Sequence, residues 1–209
     1  GDLSAAAFFL VGASIVPDSD VTIRGVGMNP TRTGLVEILH RMGAQIEVLR
    51  PREEAGEPVA DLRVRSMPLR GVRIGHDQIP QTIDEFPILC VAAAVAEGET
   101  VITGAEELRV KESDRIATMA KELRAMGARI EERPDGMVIQ GLGRNGVNGA
   151  LNGAICESHG DHRVAMSVAI GALTAAQPTQ IVDTACIETS FPGFDGKLLE
   201  LLTASGNRL

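Results

Sequence analysis

Three segments of the sequence share one pattern, and this internal repeat limits the fold more than any other feature. Each segment begins with an aspartate, continues as an apolar stretch rich in alanine, and passes through a polar turn into a β-branched run. The aspartates are Asp2, Asp84 and Asp161, spaced 82 and 77 residues apart, and we expect each of them at the N-cap of the helix that follows. The β-branched runs are VTIRG at Val21, TVITG at Thr100 and TQIVD at Thr179. A helix followed by a strand is therefore predicted three times.

A second, amphipathic helix follows each β-branched run. Its apolar residues recur at the helical spacing i, i+3, i+4 and i+7, which is typical of a helix with one buried face. In the first two copies a glycine ends the helix, at Gly43 and Gly127, where a left-handed C-terminal residue is favoured. The three apolar stripes are Leu35, Ile38, Leu39 and Met42; Ile116, Met119, Ala120, Leu123 and Met126; and Phe194, Leu198, Leu201 and Leu202.

Short strands are predicted after the second helix. The candidates are Gln45–Leu49, Asp61–Ser66, Gly71–Ile74, Arg129–Glu132 and Met137–Gln140. Residues 50–58 are polar and indicate an exposed hairpin tip, and the glycine-rich residues 141–149 indicate a loop.

The repeat predicts the fold class. The first helix of each unit is apolar nearly all round, so it is buried, and the second helix forms an outer layer. We predict one α/β domain over residues 1–209, made of three units at about 1–80, 81–157 and 158–209. A closed domain is favoured over a solenoid because nothing in the sequence looks like a capping repeat.

Composition excludes several function classes. Aromatic residues make up 2% of the chain and the formal net charge is −8, so nucleic acid is not an expected partner. No apolar run reaches the roughly 20 residues of a membrane span. The three cysteines are scattered and there is no H-E-x-x-H motif, so we expect no metal site and reduced thiols in a cytoplasmic protein.

Charged residues at the predicted helix starts form the candidate site. If the three units are related by symmetry, the positive N-terminal ends of the buried helices point to one side and favour an anion there. Arg115, after the candidate cap Ser113, and Arg163 stand in first helical turns, where a cation is unfavourable unless an anion is bound. Asp84 and Glu85 head the middle buried helix and could include a general base. The alternative is ordinary capping and a solvated charge cluster.

Five sequence blocks carry a resemblance to a known family. They are GDLSAAAF from Gly1, DEFP from Asp84, RVKESDR from Arg109, GDHRVAM from Gly160 and SFP from Ser190. In this order and spacing they resemble the C-terminal half of the 3-phosphoshikimate 1-carboxyvinyltransferase (5-enolpyruvylshikimate-3-phosphate synthase) family. The resemblance covers essentially the whole chain and implies a domain of three βαβαββ units with buried parallel helices. It implies no metal and no organic cofactor.

The resemblance also implies a reaction and residue roles. Family members transfer the enolpyruvyl group of phosphoenolpyruvate to the 5-hydroxyl of shikimate 3-phosphate and release phosphate, in the shikimate pathway of aromatic amino acid biosynthesis. By motif position, Asp84 binds the shikimate hydroxyls and is the base, and Lys111 contacts shikimate 3-phosphate. Glu112 protonates the methylene carbon of phosphoenolpyruvate, and Arg115 and Arg163 hold phosphoenolpyruvate.

The resemblance implies less specific roles for two further positions of the family's motifs. His162 is a neighbour with a proton-handling or a purely orienting role. Thr189 stands where many members have a lysine that contacts phosphoenolpyruvate, so the resemblance implies one charge contact fewer at this position.

The resemblance implies that the N-terminal half of the enzyme is a partner of this chain, and it leaves two alternative functions open. The chain starts at Gly1 without Met, and we expect it to be a piece whose N-terminal half is absent and which is inactive by itself. One alternative is the related enolpyruvyl transferase that acts on UDP-N-acetylglucosamine. The other is a non-catalytic scaffold domain that kept the fold.

Overall fold

Three buried helices form the centre of the molecule. The computed structural model describes residues 1–143 and 150–204. Its helices are α1 (Leu3–Ile15), α2 (Gly34–Arg41), α3 (Phe86–Val95), α4 (Arg115–Ala125), α5 (His162–Ala172) and α6 (Phe194–Ala204). Helices α1, α3 and α5 contact one another pairwise. The first and third repeats therefore touch, which a solenoid with nearest-neighbour contacts would not allow.

Nine strands in the described part of the chain surround this centre. They are β1 (Asp20–Gly27), β2 (Gln45–Glu54), β3 (Glu57–Arg65), β4 (Arg73–Ile74), β5 (Glu97–Ile102), β6 (Arg129–Arg133), β7 (Gly136–Leu142), β8 (Ile155–Glu157) and β9 (Gln180–Val182). They form three sheets, ordered β1-β3-β2, β4-β5-β7-β6 and β8-β9.

The sheets follow the sequence repeat. In the first two units the strand after the buried helix, β1 or β5, pairs antiparallel with the second strand of the following hairpin, β3 or β7. That second strand also pairs antiparallel with the first strand of the hairpin, β2 or β6. Strands β4 and β8 precede α3 and α5, and they pair in parallel with β5 and β9. A parallel pair joined through a helix is the βαβ unit, so each of these helices is the crossover of one.

The outer helices place their apolar stripes as predicted. Leu35, Ile38, Leu39 and Met42 of the first stripe are fully buried, as are the five apolar residues of the second. Gly43 and Gly127 take φ values of 91° and 88°, which glycine adopts without strain. In the third stripe Phe194 is buried against Phe8 and Phe9, while the three leucines are half-buried.

The exposed hairpin tip predicted over residues 50–58 is confirmed, whereas the loop predicted over residues 141–149 is wrong at its start. Most of residues 50–58 continues β2 and β3 as an exposed hairpin, and only Ala55 and Gly56 form the turn, with φ values of 52° and 83°. Two consecutive residues with positive φ are the usual two-residue hairpin connection. The predicted loop at 141–149 begins inside β7, and residues 144–149 of it lie outside the described residues.

Within the described ranges, every helix is too short or too polar to cross a bilayer. The cysteines are free thiols, with Cys90 and Cys156 buried and Cys186 half-buried.

Candidate active site

The N-terminal ends of α1, α3 and α5 meet on one side of the domain. Ser4 in the first turn of α1 donates its hydroxyl hydrogen to Glu85 Oε1 at 2.5 Å, just before α3. Arg163 at the start of α5 donates from Nη1 to the backbone oxygen of Asp84 at 3.0 Å. The predicted convergence of the three helix ends is therefore present, and the charged residues of the candidate site stand at it.

Two of the three repeat aspartates cap their helices, and the third does not. Asp2 accepts the backbone N–H groups of residues 4 and 5, and Asp161 accepts that of Arg163. The expectation that Asp84 caps α3 is wrong, because Glu85 holds the N-cap position without a side-chain capping bond. Pro87 follows at the second helical position and lacks an N–H group, which removes one donor that a capping carboxylate would accept. Asp84 is left free to face other groups.

Those other groups are three guanidinium groups. The carboxylate of Asp84 lies 3.7 Å from Arg115 Nη1 and 3.7 Å from Arg163 Nη2. A third arginine, Arg32, lies 3.8 Å away. One third of the Asp84 side chain remains exposed. The structure thus brings Arg115 and Arg163 together around one carboxylate that a ligand can reach.

Arg115 is almost completely buried and is shared among carboxylates. Its side chain is 1% exposed, its Nε donates to Asp161 Oδ2 at 2.8 Å and its Nη2 donates to Glu112 Oε2 at 2.6 Å. Its buried Nη1 has no hydrogen-bond partner among the described residues and lies 3.7 Å from Asp84 Oδ1. Burial raises the pKa of Asp161, but the bonds from Arg115 outweigh burial and bring that pKa below its usual value.

The start of α4 differs by one residue from the expectation. Asp114, not Ser113, is the N-cap, and it accepts the backbone N–H of Ala117 at 3.0 Å. Ser113 donates instead to Asp161 Oδ2 at 3.1 Å. Helix α4 therefore begins at Arg115, and Ser113 helps to connect its start with the start of α5.

His162 stands beside Arg163 at the first position of α5. A small depression next to the two residues is lined also by Asp2, Ser4 and Ser190. Burial, and then the positive charge of Arg163, hold the pKa of His162 below its usual value. His162 is therefore neutral at physiological pH and can both donate and accept a hydrogen bond.

For two residues of the family's motifs, the side-chain bonds seen in the described part of the chain lie outside this cluster. The Nζ of Lys111 donates to Glu107, four residues earlier, at 2.9 Å. Thr189 is exposed in a short helical turn and donates its hydroxyl hydrogen to the backbone oxygen of Cys186 at 2.7 Å. The structure gives both residues bonds within their own segments.

Sequence reasoning did not include Arg32 in the site. Its Nη2 donates to Ser4 Oγ at 2.7 Å and lies 3.8 Å from both Asp84 and Glu85. Arg32 stands just before α2, which begins at Gly34. An arginine beside a helix start is the same signal that pointed to Arg115 and Arg163, so the signal was available.

Glu85 gives a pH-dependent prediction. Burial raises the pKa of Glu85 more than its bonds to Ser4 and the nearby arginines lower it. A carboxyl whose folded-state pKa is raised stabilises the fold at low pH and loses that contribution as the pH rises through the folded-state pKa. We therefore expect Glu85→Gln to raise the melting temperature at pH 8 relative to wild type, with a smaller gain at pH 4.

The measurement is a pair of thermal melts at the two pH values. The exposed Glu53→Gln is the matched control and should show no such difference. A gain for Glu85→Gln that is larger at pH 4 than at pH 8 would contradict this account of the buried carboxyl.

Comparison with known proteins gives one family. A family model described as EPSP synthase (3-phosphoshikimate 1-carboxyvinyltransferase) matches residues 1–198. A Geobacter sulfurreducens protein named 3-phosphoshikimate 1-carboxyvinyltransferase is 59% identical over 198 residues, covering 95% of this chain and 45% of that protein. One of the same name from Acidithiobacillus ferrooxidans is 57% identical, over 98% of this chain and 47% of its own length. The chain thus spans about half the length of these curated relatives.

Solved structures agree with the sequence comparison. EPSP synthase from Acinetobacter baumannii superposes with a TM-score of 0.91 at 48% identity, covering 98% of this chain and 45% of that one. The enolpyruvyl transferase NikO from Streptomyces tendae superposes with a TM-score of 0.71 at 19% identity. The second likeness concerns the fold alone.

Proposed function

The chain belongs to the EPSP synthase (3-phosphoshikimate 1-carboxyvinyltransferase) family, and from this premise we propose that it forms one wall of the active site of such a transferase. The reaction moves the enolpyruvyl group of phosphoenolpyruvate onto the 5-hydroxyl of shikimate 3-phosphate and releases phosphate. The observation that carries the proposal is the single cluster in which Asp84 lies between Arg115 and Arg163, with Glu112 bonded to Arg115.

The arginine pair suits the anionic substrate. A guanidinium group presents fixed donors that match phosphate and carboxylate oxygens two at a time. Arg115 Nη1 is buried without a hydrogen-bond partner in the described part of the chain, and Arg163 is 16% exposed at the head of α5. The carboxylate of Asp84 lies 3.7 Å from each guanidinium group, too far for a hydrogen bond, so N–H groups of both arginines remain available. Phosphoenolpyruvate bound here would accept hydrogen bonds from these N–H groups.

The two carboxyl groups supply the proton transfers. Asp84 accepts the proton of the 5-hydroxyl group while the oxygen of that hydroxyl group bonds to C2 of phosphoenolpyruvate. Glu112 protonates the methylene carbon, C3. The product of this addition is a tetrahedral carbon that carries the phosphate. Loss of phosphate from C2, with the proton held by Asp84, and return of a proton from C3 to Glu112 restore the double bond and both carboxyl groups. General acid–base groups of this kind contribute about 10²–10⁴-fold in rate each.

The charge of the cluster indicates that a second wall is needed. Arg32, Arg115 and Arg163 stand against the four carboxyl groups of Asp84, Glu85, Glu112 and Asp161, so this wall is not cationic by itself. Two substrates that both carry phosphate need additional positive groups. We assign those groups to the other half of the full-length enzyme, since the chain spans about half of its relatives.

We therefore expect this chain by itself to show no measurable transferase activity. With one wall missing, water screens the arginines and competes for every phosphate oxygen, whereas preorganised donors act best in a closed site. The measurement is phosphate release from the two substrates by the chain alone and by the full-length enzyme. Activity of the chain within tenfold of the full-length enzyme would contradict the proposal.

The same assay separates the alternatives. A full-length enzyme that releases phosphate with UDP-N-acetylglucosamine but not with shikimate 3-phosphate would identify the UDP-sugar transferase. Absence of phosphate release with either acceptor, in a protein that is folded by circular dichroism, would identify a scaffold domain.

A further inference from the structure

Helix α4 contacts the turn before α5 at a second place, outside the cluster described above. We call residues 158–161 the β8–α5 turn. Glu122 lies two helical turns beyond Arg115 on α4, and its side chain is 3% exposed. Its Oε1 lies 2.8 Å from Nε2 of His159, and its Oε2 accepts the backbone N–H of Glu157 at 3.1 Å.

The buried carboxyl of Glu122 is ionised and paired. Burial alone raises its pKa, but the bonds from His159 and the backbone of Glu157 and the charge of Lys121, whose Nζ lies 3.4 Å from Oε1, together outweigh burial, so its pKa lies below the usual value. An ionised carboxylate can only accept hydrogen bonds, so Nε2 of His159 must donate. A buried charge is stable only when it is paired in this way. Losing either partner would therefore disturb the contact between α4 and the turn.

The β8–α5 turn needs such an anchor. His159 has a φ of 55° and Gly160 a φ of 71°. A positive φ is uncommon for a residue other than glycine and persists where surrounding contacts hold it. The hydroxyl of Ser158 also accepts the backbone N–H of Gly160 at 3.1 Å. The side chain of His159, fixed by Glu122, therefore helps to determine the path of the backbone into α5.

That path sets the position of the anion-binding groups. Asp161 ends the turn, caps α5 and accepts from Arg115, and Arg163 follows two residues later. Helix α4 thus contacts the turn at one end through Arg115 and at the other through Glu122. Both contacts measure 2.8 Å.

On the basis of the proposed function, we infer that Glu122 is a positioning residue for phosphoenolpyruvate binding. It acts through His159, because the buried pair that the two side chains form fixes the β8–α5 turn. The turn holds Asp161 and Arg163 in place, and Asp161 in turn holds Arg115. Glu122 does not touch the cluster itself.

The first test is the kinetics of Glu122→Ala in the full-length enzyme. Residues that act through packed contacts change binding by about 2- to 30-fold. We expect the KM for phosphoenolpyruvate to rise in this range, with little change in kcat and in the KM for shikimate 3-phosphate, because uniform binding is lost. The amide of Glu122→Gln can still accept from Glu157 and bond to the other tautomer of His159, so it should restore the KM. Glu53→Ala, which removes an exposed carboxyl at the outer end of β2, is the control.

A second variant covers a failure of Glu122→Ala to fold. Asparagine tolerates a positive φ but is too short to reach Glu122, so His159→Asn should raise the KM for phosphoenolpyruvate in the same way. Normal KM values for both folded variants would overturn the inference. So would equal losses in both KM values and kcat, which would indicate a general structural role.

Hydrogen exchange separates this inference from the proposed function. In either variant the amides of Asp161 and Arg163 should exchange faster than in wild type, whether or not the enzyme is active, and in Glu122→Ala the amide of Glu157, which loses its acceptor, should do so as well. If these amides exchange faster in the variants but the wild-type full-length protein has no transferase activity, the proposed function is rejected and the inferred anchor stands. Unchanged exchange of these amides would reject the anchor.

Discussion

Glu112→Gln in the full-length enzyme should lower kcat by about 10²–10⁴-fold, the usual contribution of a general acid or base. Glu112 is the most accessible carboxyl of the cluster, with half of its side chain exposed, and it accepts from Arg115 at 2.6 Å. Glutamine has nearly the same shape and can still accept that bond. The fold and the binding of shikimate 3-phosphate should therefore persist while the transferable proton is lost.

Steady-state kinetics and a binding titration with shikimate 3-phosphate measure the two effects separately. The exposed Glu106→Gln, which precedes the same segment, should leave both unchanged. Parallel losses in kcat and in affinity would mean that Glu112 binds substrate or supports the start of α4 and transfers no proton.

Arg163→Ala should weaken phosphoenolpyruvate binding by about 2–4 kcal/mol, the scale for truncating one partner of a charged hydrogen-bonded pair. That energy corresponds to roughly 30- to 1,000-fold in affinity. The loss combines two effects, because Arg163 also donates to the backbone oxygen of Asp84 at 3.0 Å and so keeps that residue in place. Arg163→Lys should recover part of the charge but not the paired donors.

The KM for phosphoenolpyruvate and the affinity for it by titration test this prediction. Arg133→Ala removes an arginine that pairs with Glu131 on an exposed strand and is the matched control. If Arg163→Ala keeps both its KM and its turnover, the assignment of Arg163 to phosphoenolpyruvate is wrong.

The sequence was sufficient to predict the helices and the direction in which they point. Apolar periodicity identified both helix layers because burial on one face or on all faces leaves a direct trace in the residue pattern. The extent of β2 and β3 was not predictable in the same way. Their outer ends, around Glu53 and Pro58, lie beyond the core, so no alternation of apolar and polar residues marks them.

Within the site, residue identity was easier to predict than residue contact. The position of Arg115 at a helix start suggested an anion, but its nearly complete burial depends on Asp161, 46 residues away. Asp84 was expected to cap α3, and only the structure shows it facing arginines from three different segments. Local patterns report on local hydrogen bonds, whereas these partners are set by the packing of the three units.

The meeting of the three helix ends has a consequence for the order of folding. The bond between Ser4 and Glu85 joins residues 81 positions apart, and that between Arg163 and Asp84 joins residues 79 apart. Closing long loops costs chain entropy before any contact rewards it, so contacts of this range form late. A chain in which any one unit is still unfolded lacks the arginine cluster. Anionic ligands will therefore bind only the completely folded domain and will shift every partly folded population toward it.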